Sequence, residues 1–229
     1  MNINALEILT NLFVYGIPAV LAITLHEAAH GYAALQKGDP TAKQLGRLSL
    51  NPIRHVDPLG TLFLPAALIF AGSPFVFGYA KPVPVNFRNL RNPRLDMVYV
   101  ALAGPATNII LAFTSALLLH TMALVPVTLV PILSKMLIFS LNINVLLAVF
   151  NMIPIPPLDG GRVAVGLLPD ALANPLARLE RWGFVIIMGV FIILPFILSQ
   201  ISVDFHPFEL FLKGPMTFVM KIILTLTGL

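Results

Sequence analysis

His26-Glu27-Ala28-Ala29-His30 sets two imidazoles four residues apart with a carboxylate between them. In a helix, residues i and i+4 share one face. Both rings then reach one metal ion, with Glu27 beside them to take a proton from a water. The setting sharpens the pattern, because the charge-free run Ile8–Leu25 leads straight into it. Ionisable side chains within a membrane cost roughly 2.5–3.5 kcal/mol each at its centre and are functional by default. The bland reading is a pair of core histidines satisfied by carbonyls, with a stray carboxylate.

Catalytic zinc takes three protein ligands and keeps one position open. The chain has no cysteine, so the third ligand is an acid or a histidine. The remaining candidates are Glu7, Asp39, Asp57, Asp96, Asp159, Asp170, Glu180, Asp204, Glu209, His55, His120 and His206. Of these, Asp159 alone ends a long apolar span among helix breakers, in Asn151-Met-Ile-Pro-Ile-Pro-Pro-Leu-Asp159-Gly-Gly-Arg162. Unwound backbone at membrane depth is tolerated where it is buried or lines a wet cavity, which suits a metal ligand. Depth agrees: His30 lies seven residues before Lys37 and Asp159 three before Arg162. A 1.5 Å rise puts both within roughly 10 Å of one membrane face. A turn aspartate at the interface is the plainer reading of Asp159. Asn151 suits a substrate carbonyl or oxyanion, or an interhelical hydrogen bond, and Asn144 is a second amide in the same span.

The elements that must position these groups follow from composition. Of 229 residues, 58% are apolar and 10% charged, with a mean hydropathy of +0.91. Soluble domains carry roughly 25% charged residues, so disorder, collagen, coiled coil and disulfide scaffold are excluded. The composition predicts an all-α polytopic membrane protein, a single domain over 1–229 with about five to six transmembrane helices. Its core covers about 8–168 and its C-terminal spans about 182–229. The net charge of +4 sits in short loops, which is topology and not nucleic-acid binding. The N-terminus lacks a basic region and carries Glu7, so it reads as a retained first helix.

Basic clusters at Lys37–Arg54, Lys81–Arg94 and Arg162–Arg181 belong on the cytoplasmic side. That holds if 8–36 ends inside, 96–120 goes out, 135–158 returns, 182–203 goes out and 210–228 returns. The uncharged 121–134 and the acidic turn at Asp204–Glu209 then lie outside. The stretch 58–80 must make no net crossing. Pro65, Gly72 and Pro74 interrupt it, so it is a re-entrant or broken hairpin, or it crosses once and Tyr79–Phe87 returns as extended chain. A net crossing there would part His30 from Asp159.

HEAAHG at 26–31, AGPATN at 103–108 and NMIPIPPLDGGR at 151–162 together resemble the three signature segments of the site-2 protease family of intramembrane zinc metalloproteases. The stretches GRLSLNPIRHVDPLGTLFLP and GYAKPVPVNFRNLRNPRLDM resemble its compact prokaryotic branch, which lacks PDZ or CBS domains. The resemblance covers roughly 16–168. It implies His26, His30 and Asp159 as ligands of one Zn2+ per chain, Glu27 as general base, and Asn151 on the substrate strand or oxyanion. Asn108 would pack near the site and help to bind substrate or gate it. It also implies a membrane-protein substrate helix as partner, and a multi-pass place in a bacterial or archaeal cell membrane with the active site towards the cytoplasm.

The expected chemistry is hydrolysis of a peptide bond in or near a transmembrane segment, which must first unwind. Tyr79–Phe87 favours extended chain and offers either an edge for an unwound substrate or a plain connector. One rival is a catalytically silent zinc-binding scaffold for partner helices, which has no need of Glu27. Another is a metal transporter, which needs further acids or histidines towards the far face. His55 and Asp57 read as a chain-turning pair or a regulatory one. Arg88, Arg91 and Arg94 read as headgroup anchors, and Pro169–Trp182 as an amphipathic segment on the inner surface.

Overall fold

A computed structural model describes residues 5–64, 67, 78 and 80–229. Most of 58–80 lies outside the described residues, and with it the question of whether that stretch crosses. Among the described residues the chain is helical, with no strand. Five helices are long and apolar enough to span a membrane: α1 (Leu9–Gln36), α3 (Pro93–Leu119), α4 (Val130–Asn151), α7 (Glu180–Gln200) and α8 (Glu209–Thr227). Between them lie the short α2 (Thr41–Gln44), α5 (Asp159–Leu167) and α6 (Asp170–Arg178). Residues 80–86 have no regular structure, as expected of a non-helical insert between the first and next core helices.

The central helix is α3, which packs on α1, α4 and α5. Its buried positions include Ala101, Gly104, Asn108, Ala112, Ser115 and Ala116, a stripe of small residues at helical spacing that lets neighbouring backbones approach closely. Helix α1 stops at Gly38, whose φ of +109° favours glycine. Just beyond, Asp39 accepts from the Thr41 and Asn86 amides at 3.1 and 2.7 Å and from Asn89 Nδ2 at 2.9 Å. That ties the end of α1 to the loop entering α3.

Helix α4 ends at Asn151, and Pro154, Pro156 and Pro157 carry the chain through a turn into α5. Asp159 thus stands in the first turn of α5, where the helix dipole favours an anion. Arg94, expected at the lipid headgroups, is exposed and also braces α5: Nε donates to Gly166 O at 2.9 Å and Nη2 to Leu168 O. It satisfies carbonyls that the end of α5 leaves open.

The expected course of the last span is overturned. Phe211, at the start of α8, lines a cleft with Pro154, while His120 Nε2, at the other end of α3, donates to Thr227 O at 2.8 Å. Helix α8 therefore runs in the same direction as α3, and the Asp204–Glu209 turn lies at the Asp159 end. The cause is packing. Met216, Val219, Met220 and Ile223 fill the seam made by Ala112 and Ala116 of α3 with Leu141 and Val145 of α4. Helix α7 starts at the same end and keeps its middle there, with Phe191 5.6 Å from Phe150 and 6.4 Å from Phe211 between ring centroids.

Candidate metal centre

His26 and His30 lie on the buried face of α1, and the start of α5 brings Asp159 to them. His26 Nε2 is 3.2 Å from Asp159 Oδ2, His30 Nε2 is 3.3 Å from Oδ1, and the two Nε2 atoms are 3.1 Å apart. The rings meet edge to face, with an interplanar angle of 87°. All three residues are buried.

The donor set is that of a metal site. His30 Nδ1 lies 2.7 Å from Val100 O, which only accepts, so the proton sits on Nδ1 and Nε2 presents a lone pair. His26 Nδ1 faces Asn108 Oδ1 at 2.6 Å in the same way. Two nitrogen lone pairs and a carboxylate therefore converge on one point, and Asp159 Oδ2 has no hydrogen-bond donor. Acceptors crowded together in a buried site repel one another unless a cation lies among them. Two imidazoles and a carboxylate suit Zn2+ with a position left open. Among the described residues this is the one such cluster of metal-ligating side chains.

Glu27 lies beside the triad, half-buried, and its Oε2 accepts from the Val83 amide at 2.8 Å. The 80–86 segment thus lies against the His-Glu-His turn. Asn108 packs near the site, as its motif implied. It is fully buried behind His26 and engaged on both its oxygen and its nitrogen, so it orients a ligand. Asn151 is half-buried and donates to Leu147 O at 3.0 Å within its own helix; the structure does not bring it into the triad. His55 ends a short 3-10 helix, Pro52–His55, where its Nε2 donates to Ser49 O at 2.7 Å, and Asp57 caps the turn at Leu59 and Gly60. Sequence reasoning missed the Val83 amide and the Val100 carbonyl. These are main-chain groups with no signature in residue type.

Similarity to known proteins agrees with this centre. The profile described as Peptidase family M50 matches residues 127–196, which include Asp159. The Bacillus subtilis (strain 168) protein named "Putative zinc metalloprotease YwhC" is 40% identical over 180 residues, covering 77% of this chain and 78% of that protein. The Mycolicibacterium smegmatis protein named "Putative zinc metalloprotease Rip2" is 31% identical over 174 residues, covering 76% of this chain and 64% of its own length. No solved structure gives a significant match. A buried two-histidine, one-aspartate cluster in a bundle of apolar helices, joined to this degree of identity, places the chain in peptidase family M50, the site-2 protease family of zinc metalloproteases.

Proposed function

We propose that the chain hydrolyses a peptide bond in or near a transmembrane segment of a membrane-protein substrate, using one Zn2+ held by His26, His30 and Asp159. The observation that carries this reading is the buried, acceptor-only triad at one end of helices long enough to span a membrane. The metal supplies a Lewis acid for the scissile carbonyl and lowers the pKa of a water towards about 7. Glu27 takes the proton from the attacking water and returns it to the leaving amine. The Val83 amide holds Oε2, which fixes the carboxylate and leaves Oε1 for the proton.

An apolar cleft of about 720 Å³ supports lateral access from the bilayer; it runs between α3, α4 and α8 and reaches the turn at Met152–Pro154. An apolar segment entering there must unwind before its carbonyls are open to attack, and the main chain of 80–86 beside Glu27 is a surface against which it can extend. The basic clusters lie at the end of the bundle that carries the triad, which supports a site facing the cytoplasm across a bacterial or archaeal cell membrane.

Zinc analysis of detergent-purified protein tests the centre. About one zinc per chain is expected in wild type and Glu27→Gln, with clear loss in Asp159→Ala. On a cleavable membrane-protein substrate, Glu27→Gln is expected to lose about 10²–10⁴-fold in rate. Wild type without zinc, or Asp159→Ala that keeps it, overturns the site. A Glu27→Gln protein with unchanged function favours the zinc-binding scaffold instead.

A further inference from the structure

We infer that Asn144 is a positioning residue for the zinc ligand His26, acting through Asn108 to fix which group faces the imidazole; this rests on the zinc site proposed above. The hydrogen bonds run in one sense across three helices. Asn144 Nδ2 donates to Ser140 O at 2.9 Å. A carbonyl only accepts, so the amino end of Asn144 must face it and the oxygen must face α3. Asn108 Nδ2 donates to that Oδ1 at 2.8 Å and also reaches Ala22 O at 3.3 Å. Both partners are acceptors, so Asn108 has no freedom to flip, and its oxygen faces His26 Nδ1 at 2.6 Å. The imidazole proton is then fixed on Nδ1, and Nε2 is left as a lone pair for the metal.

Each step depends on the one before it, and the chain ends on a main-chain carbonyl that does not reorient. Both amides are fully buried, with exposures of 0% and 1%, so water cannot substitute for either. Without Asn144, Asn108 keeps one long bond to Ala22 O and can present its amino group to His26, opposing the proton on Nδ1. His30 takes its orientation separately, from Val100 O. The competing reading is that Asn108 and Asn144 are interhelical glue. Ser115 supplies the comparison, because its hydroxyl joins the same two helices through Ser140 Oγ at 2.8 Å and touches the relay only at second hand, by the long 3.4 Å bond that Ser140 Oγ accepts from Asn144 Nδ2.

The test uses full-length, zinc-loaded protein in detergent with ¹⁵N-labelled histidine. In wild type, the Nδ1 protons of His26 and His30 should both resonate downfield and exchange slowly, as protons bonded to carbonyl oxygens do. In Asn144→Leu, the His26 signal should move upfield and exchange faster while that of His30 stays, with zinc affinity falling about 10–100-fold. Ser115→Ala should leave both signals and zinc affinity unchanged. Asn144→Asp keeps an acceptor for Asn108 and, neutral in its buried site, a donor for Ser140 O; it should retain the wild-type signals. Equal effects of Asn144→Leu on both histidines, or none on His26, overturn the relay. So does a wild-type His26 lacking a bonded Nδ1 proton, which decides the matter even if Asn144→Leu fails to fold. A wild-type protein that binds no zinc overturns the metal site itself, a distinct result.

Discussion

A Cβ placed on Gly104 would lie 2.5 Å from His30 Nε2 and 2.6 Å from His26 Nε2. Helix α3 therefore brings bare backbone against the two ligand nitrogens, where a methyl group would press into the metal position. Gly104→Ala is expected to bind far less zinc than wild type while keeping helical content, with elemental analysis and circular dichroism as the paired measurements. Full zinc in a folded Gly104→Ala protein would show that the metal sits elsewhere. At this scale the convergence of His26, His30 and Asp159 was legible in the sequence, because i,i+4 spacing and the scarcity of acids at membrane depth left few other solutions. Asn108 was placed near the site by its motif, but its bond to His26 was not legible. Its orientation is set by Asn144, a side chain on another helix, and no spacing rule within one helix encodes that partner.

At the scale of elements, the turn that delivers Asp159 is braced from two sides. Arg94 holds the far end of α5 through Gly166 O and reaches Asp170 Oδ1 at 2.8 Å. On the other side, α7 lies against the turn at Gly183, where a Cβ would fall well inside contact distance of Pro156 O and Pro157 Cδ. Gly183→Ala is expected to push α7 off the turn, lowering both the melting temperature and zinc occupancy. At Gly189, on the same helix, a methyl group would meet nothing within 4 Å. Gly189→Ala should leave zinc unchanged and stabilise by about 0.5–1 kcal/mol through helix propensity alone. The helix breakers around Asp159 announced this turn in the sequence; the brace did not show, because a glycine in an apolar span looks the same whether or not backbone lies against it.

The end of α1 carries a pH-dependent tie of the same scale. Desolvation pushes the Asp39 carboxyl up, but hydrogen bonds from Thr41, Asn89 and the Asn86 amide outweigh it and hold the group below its usual range. A carboxyl depressed in the folded state stabilises fully above its unfolded pKa, about 3.9, and loses that contribution as pH falls through the lower folded value. Wild type should therefore exceed Asp39→Asn in melting temperature most at neutral pH. The gap should narrow below about pH 4, and a gap independent of pH would detach the effect from the charge of Asp39.

For the whole molecule, the charge pattern read the first three spans in the order the structure has them and failed on the last. Basic residues constrain which face a loop occupies, but Lys213 and Glu209 form an exposed pair one turn apart at the start of α8, so that end gave a mixed signal. What decides the direction of α8 is the fit of Met216, Val219, Met220 and Ile223 into the α3–α4 seam, a tertiary match invisible in one sequence. The difference is directly measurable because the chain contains no cysteine. Leu124 follows α3 and is 86% exposed, and Leu229 follows α8 and is 50% exposed. The bond between His120 and Thr227 O puts these two positions at one face. Single Leu124→Cys and Leu229→Cys proteins in sealed vesicles should react with a membrane-impermeant thiol reagent from the same side, and Arg178→Cys from the other. Labelling of Leu229→Cys together with Arg178→Cys would instead restore the course that the charges suggested and separate α8 from the seam that holds α3 against α4.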